Sequence, residues 1–233
     1  MRTPDDRFAN LPGFPWAPRY LEWCGLRVHY LDEGEGPRAD GRAQRTLLCL
    51  HGEPTWSYLY RKMIPPFLAA GYRVVAPDFI GFGRSDKPEE DSFYTFEMHR
   101  NLLLHVIEEL NLKNITLAVQ DWGGLLGLTL PMEMPERFGR LLIMNTALGT
   151  GDVPLSPGFV AWRDYVAKTP SMDCGKLLGR ACPQLSAAEA AAYEAIFTAW
   201  GGDVRERSVD LATGKLRPRE MDHAKLTPNL PEA

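Results

Sequence analysis

The sequence predicts an α/β fold built on a doubly wound, mostly parallel sheet, and two observations support that prediction. Residues 46–50, 72–76 and 114–119 are short, continuous apolar runs, the composition of strands that are buried on both faces of a sheet. Residues 57–70 and 94–110 lie between these runs and are predicted to be helices, the first with a kink or an early end at Pro65 and Pro66. Strands that alternate with helices predict parallel strands joined by right-handed crossovers.

The flanking segments extend this prediction. Residues 26–31 alternate apolar and polar side chains, which predicts a strand with one wet face, and His29 is expected on that wet face without a catalytic role. Residues 140–145 are apolar enough to predict a further buried strand. Residues 1–20 contain four prolines among several aromatic residues, so we expect an irregular arm whose rings pack on the body.

The chain divides into three parts by composition. Residues 1–149 hold the strand and helix pattern of the core. Residues 150–200 begin with a Gly/Pro-rich linker and continue as three short helices, which predicts a helical lid above the carboxyl ends of the strands. Residues 201–233 are polar and rich in Gly and Pro, so we expect a divergent, poorly ordered tail. The expected lid helices cover residues 158–168, 174–181 and 186–199.

Composition excludes several classes of partner. The 233 residues carry a net charge of −4 without a basic block, which argues against nucleic acid or an anionic membrane. No apolar run reaches the length of a membrane span, and the polar N-terminus does not have the pattern of a signal peptide, so we expect a cytoplasmic protein. The four cysteines have no metal-binding spacing, so no metal site is expected.

The chemistry is concentrated in the segment VQDWGG at residues 119–124, where an apolar strand is followed at once by a helical pattern. A strand, a sharp turn and a helix with a reactive side chain at the turn form a nucleophile elbow. The reactive residue here is Asp121, whose carboxylate is ionised at neutral pH and can attack carbon to form an ester. The alternative reading is that Asp121 only caps the following helix.

Three motifs occur in chain order: HGEPTWSYLYRKMIP at residues 51–65, GFGRSDKP at residues 81–88 and QDWGG at residues 120–124. Together they resemble the motifs of the α/β-hydrolases and, within that fold, of the haloalkane dehalogenases. The segment GFVAW at residues 158–162 is similar to the lid of the subfamily that acts on small chloroalkanes. The resemblance runs from about residue 2 to about residue 195, and the motifs are long enough to be specific.

The resemblance implies a hydrolytic dehalogenation that needs no cofactor. Asp121 would displace the halide and form an alkyl ester, and the backbone N–H groups of Glu53 and Trp122 would form the oxyanion hole. The indole N–H groups of Trp122 and Trp162 would bind the halide, and Phe159 would line the substrate pocket. Indole suits that role because it donates a hydrogen bond and accepts none. The partners would be a small haloalkane and a halide ion, and a monomer is expected.

The sequence also departs from the family. The resemblance implies a His base after a late strand and a carboxylate that orients it, but the sequence beyond the elbow contains only His223, without a strand before it. Asn145 and Asp152 are weak substitutes for the acid. We therefore expect a C-terminally truncated or frame-shifted dehalogenase that lacks the last strands, with an exposed apolar edge at residues 141–145 and doubtful turnover. An epoxide hydrolase and a non-catalytic remnant remain alternatives.

Overall fold

The computed structural model describes residues 1–34, 36, 41, 43–149, 154–169 and 172–195, together with four residues of the tail. Six strands form one mixed sheet in the order β1-β2-β4-β3-β5-β6. The pairs β4–β3, β3–β5 and β5–β6 are parallel, and the pairs β1–β2 and β2–β4 are antiparallel. The strands are β1 Arg19–Trp23, β2 Leu26–Glu33, β3 Arg45–Leu50, β4 Tyr72–Pro77, β5 Ile115–Gln120 and β6 Phe138–Met144.

Helices cover both faces of this sheet, as the strand–helix alternation predicts. On one face, α1 packs with the apolar side chains of β3 and β4. On the other face, α2, α3 and α4 supply Leu103, Ile107, Leu126 and Leu130 to the core formed with β5. The helices are α1 Ile64–Ala69, α2 Phe96–Glu109, α3 Trp122–Gly127 and α4 Leu130–Glu133.

The N-terminal arm is more regular than its prolines suggest. Residues 19–23 form the edge strand β1, which pairs with β2 through a two-residue turn at Cys24 and Gly25. Both turn residues have positive φ, 51° and 75°, the geometry that suits a tight hairpin. The expected packing of the arm's rings is present, since Phe8 and Phe14 contact Trp56 edge-on at 5.4 and 5.2 Å between ring centroids.

Two sequence predictions about regular elements are wrong in part. Residues 57–70 do not form one helix: a 3-10 turn at Ser57–Tyr60 precedes α1, which begins at Ile64 with prolines in its first turn. The strand β6 is not buried, because it lies at the edge of the sheet among the described residues. Leu141 and Ile143 are each 50% exposed there, which agrees with the exposed apolar edge that the sequence analysis also expected at residues 141–145.

The lid helices follow the predicted segments closely. They are α5 Pro157–Lys168, α6 Cys174–Ala181 and α7 Ala187–Glu194. Ser186 caps α7, and its backbone N–H donates in return to the side chain of Glu189. Arg61 of the core donates to the Tyr193 hydroxyl at 3.0 Å and forms an ion pair with Glu189, so α7 is fixed to the core.

Little of the predicted tail falls within the described residues. Val209–Asp210 and Lys215–Leu216 pair as a small antiparallel sheet, β7 and β8. Asp152, His223 and the expected end of the last lid helix at residues 196–199 lie outside the described residues. Among the described helices, none has the length and apolar character needed to cross a lipid bilayer.

Candidate active site

Asp121 occupies a sharp backbone turn between β5 and α3. Its φ of 52° and ψ of −126° lie in a region that non-glycine residues rarely adopt, at a cost of about 1–3 kcal/mol. The backbone that follows β6 supports this turn, because the Asp121 N–H donates to the Asn145 carbonyl at 3.3 Å and the Thr146 hydroxyl donates to the Asp121 carbonyl at 2.7 Å. The Asp121 carboxylate makes no capping hydrogen bond to α3, so the geometry does not support a capping role.

The Asp121 carboxylate instead contacts the loop that follows β3. The backbone N–H of Glu53 donates to Asp121 Oδ1 at 2.8 Å. Gly52 makes this approach possible, since a Cβ on residue 52 would lie 2.3 Å from both Cβ and Oδ1 of Asp121. Gly123 has a similar role below the turn, where a Cβ would lie 2.1 Å from the Leu50 carbonyl oxygen. The glycines of both motifs therefore allow two loops to meet at one carboxylate.

His51 is fully buried and links the loops that follow β3 and β4. Its Nε2 accepts a hydrogen bond from the Phe79 N–H at 3.0 Å, which leaves the ring proton on Nδ1, 3.0 Å from the Gly52 carbonyl oxygen. Burial lowers the pKa of His51, against the opposing influence of the Asp78 charge. His51 is therefore a neutral structural link, with both nitrogens engaged.

His29 and Asp78 form a buried pair beneath the site, which corrects the expectation that His29 faces water. His29 is 0% exposed, and its Nδ1 lies 2.6 Å from Asp78 Oδ2. Asp78 also accepts hydrogen bonds from the backbone N–H groups of Ser57 and Arg84. Burial alone would raise the pKa of Asp78, but the adjacent His29 and the Arg84 N–H donor hold it well below its usual range.

A cavity of about 530 Å³ opens beside the elbow. Its walls include Glu53, whose N–H donates to Asp121, and Trp122, which follows Asp121 in the chain. The Trp122 side chain is 37% exposed. Burial raises the pKa of the Glu53 carboxyl, and the nearby negative charge of Asp121 raises it further. His99 also lines the cavity, and burial lowers its pKa to about 4, so its imidazole is neutral at pH 7. The wall also contains the polar Asp91 and Thr95 and five large, mainly apolar side chains, namely Phe79, Phe82, Tyr94, Phe96 and Leu126.

The predicted lid residues do not join this cavity in the described part of the chain. Trp162 and Phe159 both lie on α5, and neither is among the described residues that line the cavity beside Trp122. The Trp162 ring packs against Tyr165 at 5.8 Å between centroids. A second groove, of about 630 Å³, lies between the N-terminal arm and helices α6 and α7, and its described lining contains none of the predicted site residues.

The structure adds residues to which the sequence analysis gave no role. His51 and Asp78 each follow a buried strand, at the sheet edge where parallel strands end, and that position was the available signal. Thr146 stands in the same position one residue after Asn145, beyond the end of β6. Among the described residues, no group of acidic, His and Cys side chains is arranged to bind a metal ion.

Comparison with known proteins agrees with this geometry. Residues 45–171 match the family model described as the alpha/beta hydrolase fold. The chain is 49% identical over 203 residues to a haloalkane dehalogenase from Psychrobacter cryohalolentis and 45% identical over 185 residues to one from Mycolicibacterium paratuberculosis. These alignments cover 84% and 76% of this chain but only 65% and 59% of the relatives.

A solved structure gives the same assignment. Haloalkane dehalogenase DpaA from Paraglaciecola agarilytica NO2, described as tetrameric, has a TM-score of 0.79 and 49% sequence identity to this chain. The match covers 88% of this chain and 69% of that structure. The chain therefore belongs to the haloalkane dehalogenases, within the alpha/beta hydrolase fold family.

Proposed function

We propose that this protein displaces halide from small haloalkanes, with Asp121 as the nucleophile. The observation that supports the proposal most directly is the 2.8 Å hydrogen bond from the Glu53 N–H to Asp121 Oδ1. A carboxylate that is fixed at one oxygen and does not cap its helix presents the other oxygen for attack. The aromatic cavity beside Glu53 and Trp122 offers the apolar surroundings that an alkyl halide requires.

The proposed first step is an in-line displacement of halide by the Asp121 carboxylate. A carboxylate oxygen of Asp121 forms a bond to the halogen-bearing carbon, and the carbon–halogen bond breaks with its electron pair leaving on the halide. The products are an alkyl ester of Asp121 and a halide ion. The Trp122 indole N–H would stabilise the charge that develops on the halide. Trp162 is proposed as the second donor only on its similarity to the family's lid segment, since it does not line the cavity among the described residues.

The second step, hydrolysis of the ester, needs a base that activates water. In the described part of the chain, His51 has both ring nitrogens engaged and His29 is buried against Asp78. Neither of these two histidines is free to act at the ester. His99 lines the cavity, but burial lowers its pKa to about 4, which makes it a weak base. We therefore propose that Asp121 alkylation is separable from turnover in this chain, with the Glu53 and Trp122 N–H groups as the oxyanion hole for any hydrolysis that follows.

An epoxide hydrolase would use the same Asp elbow, but it needs phenol groups that donate to the epoxide oxygen. The Tyr94 hydroxyl at the cavity donates to the Pro88 carbonyl at 2.7 Å. The Tyr193 hydroxyl accepts from Arg61, and Tyr165 is 50% exposed beside Trp162. These contacts favour halide displacement over epoxide opening as the proposed reaction.

Mass spectrometry after incubation with a short bromoalkane tests the proposal. We expect the peptide that contains Asp121 to gain the mass of one alkyl group, with release of one bromide per chain. The matched control is Asp121→Asn, which keeps the shape of the side chain and should gain no mass. An unmodified Asp121 peptide together with no release of bromide in a folded wild-type sample would refute the proposed function.

Halide binding gives a second, equilibrium test. Bromide should quench tryptophan fluorescence, and Trp122→Phe should lose most of that saturable quenching. Tyr165→Phe is a control on the lid, away from the described cavity wall. Equal quenching in the wild type and in Trp122→Phe would contradict the role proposed for this indole.

The proposed partners are a small haloalkane and a halide ion, with the protein acting as a monomer in the cytoplasm. All four cysteines are free thiols, which suits a reducing compartment. Sedimentation of the purified protein tests the monomer, since the solved relative is described as a tetramer.

A further inference from the structure

The peptide group between Gly52 and Glu53 has a hydrogen-bonding role on each side. Its N–H, contributed by Glu53, donates to Asp121 Oδ1 at 2.8 Å. Its C=O, contributed by Gly52, accepts from the Thr55 hydroxyl at 2.8 Å, the Thr55 N–H at 2.9 Å and His51 Nδ1 at 3.0 Å. Because a trans peptide is planar, its N–H and C=O point in opposite directions, and fixing one fixes the other.

The donors on the Gly52 carbonyl lie where water cannot easily replace them. His51 is 0% exposed and Thr55 is 5% exposed. An oxygen with two lone pairs that receives three donors has little freedom to rotate with its peptide plane. Glycine at position 52 adds to this requirement, because it has no side chain to limit rotation about its own backbone bonds. Besides the hydrogen bond to Asp121, the contacts of the Gly52 carbonyl are therefore what orients the Glu53 N–H.

We infer that Thr55 is a positioning residue for the nucleophile: its hydroxyl, together with His51, holds the Gly52–Glu53 peptide so that the Glu53 N–H stays on Asp121 Oδ1. Thr55 acts through this peptide and does not itself contact Asp121 Oδ1, whose donor is Glu53. The kinetic consequence rests on the proposed function, since it concerns the rate at which Asp121 is alkylated. The structural consequence, a protected Glu53 amide, does not.

A matched pair of substitutions isolates the hydroxyl. Thr55→Val keeps the shape of the side chain and the backbone N–H but removes the hydroxyl donor, whereas Thr55→Ser keeps the hydroxyl. We expect Thr55→Val to slow Asp121 ester formation at saturating bromoalkane by about fivefold, the effect of one hydrogen bond. The half-saturating bromoalkane concentration should not change, and Thr55→Ser should restore the wild-type rate. A wild-type rate in Thr55→Val, or an equal loss in Thr55→Ser, would overturn the inference.

Amide hydrogen exchange measured by NMR separates this inference from the proposed function. In Thr55→Val the Glu53 amide should exchange about fivefold faster than in the wild type, by the same hydrogen-bond reasoning, while Thr55→Ser keeps the protection. The Leu117 amide in the central strand β5 is the internal reference and should be unchanged. If the wild type forms no ester, the proposed function fails, but the exchange experiment still tests whether Thr55 positions the Glu53 N–H. Unchanged Glu53 exchange, or Leu117 accelerating in parallel, would refute a positioning role.

Discussion

Nδ1 of His29 lies 2.6 Å from Oδ2 of Asp78, and both side chains are fully buried. The pair joins strand β2 to the loop after β4, and Ser85 completes it by accepting from the His29 N–H and donating to the Asp78 carbonyl. Asp78 also receives backbone donors from Ser57 and Arg84. The Asp78 carboxylate therefore holds together segments that lie up to 49 residues from it in the sequence and that together support the site.

Asp78→Asn should destabilise the protein by about 3–5 kcal/mol, the cost of leaving one partner of a buried pair uncompensated. Both oxygens of the Asp78 carboxylate accept hydrogen bonds, so the NH₂ group of an Asn side chain would face a donor in either orientation of the amide. Urea unfolding of both proteins measures the difference. Glu136→Gln is the control, because its contact with Arg137 is 3.9 Å long and its side chain is 71% exposed. A loss below about 1 kcal/mol for Asp78→Asn would contradict the role assigned to the pair.

The stability should fall in two steps as the pH is lowered. Burial lowers the pKa of His99 to about 4, so between about 6.5 and 4 the unfolded chain gains a proton that the folded protein does not, and unfolding is favoured. The lowered pKa of Asp78 makes its stabilisation complete above about 4 and lost as the pH falls below that value. Urea midpoints from pH 7 to pH 2 measure both steps.

His99→Phe should reduce the slope of the first step, and Asp78→Asn should reduce that of the second. NMR titration of the wild type provides an independent measurement, since the His99 ring should titrate near pH 4. A His99 midpoint near 6.5 would show that the ring is hydrated in the folded protein, and its contribution to the first step would then be absent, leaving only that of the buried His51.

The elements that the sequence predicted well are those whose pattern is local. Strand β5 and the turn at Asp121 follow from an apolar run, a reactive residue and two glycines that are adjacent in the chain. The capping box at Ser186 is equally local. β1 was missed because its pairing depends on the hairpin turn at Cys24 and Gly25, a dipeptide without the usual turn signature.

Contacts between distant segments could not be predicted in the same way. The alternating pattern of β2 predicts that His29 faces water. In the structure Asp78 and Ser85, from the loop after β4, contact His29 instead. A polar side chain is buried when a partner satisfies it, and a partner 49 residues away leaves no periodic signal. The same limit applies to Thr55 and Thr146, whose roles appear only when the loops are placed together.

Tyr193→Phe should loosen helix α7 of the lid. The Tyr193 hydroxyl accepts from Arg61 at 3.0 Å, while its ring packs edge-on against Tyr58 at 5.1 Å. The substitution removes the hydrogen bond and keeps the ring, so limited proteolysis within residues 187–194 should accelerate about fivefold. Tyr165→Phe, at a ring that is 50% exposed, should cleave at the wild-type rate. Equal cleavage of all three proteins would mean that the Arg61 contact does not hold α7.

Gly52→Ala should abolish alkylation of Asp121 while leaving most of the fold intact. The added Cβ would lie 2.3 Å from Cβ and Oδ1 of Asp121, so either the carboxylate or the Glu53 N–H must move. A displacement of about 1 Å at a reacting group can reduce the rate by about 100-fold, which is the minimum loss expected in the mass-spectrometric assay.

Gly158→Ala is the matched control for this substitution, because a Cβ at position 158 meets nothing within 4 Å and the residue lies in the first turn of α5. Helix propensity favours Ala there, so this variant should be as stable as the wild type or slightly more so and should alkylate at the same rate. The comparison separates the clash at the nucleophile from the general effect of adding a methyl group. If Gly52→Ala alkylates as fast as Gly158→Ala, then close contact between the loop after β3 and Asp121 is not required for the displacement step.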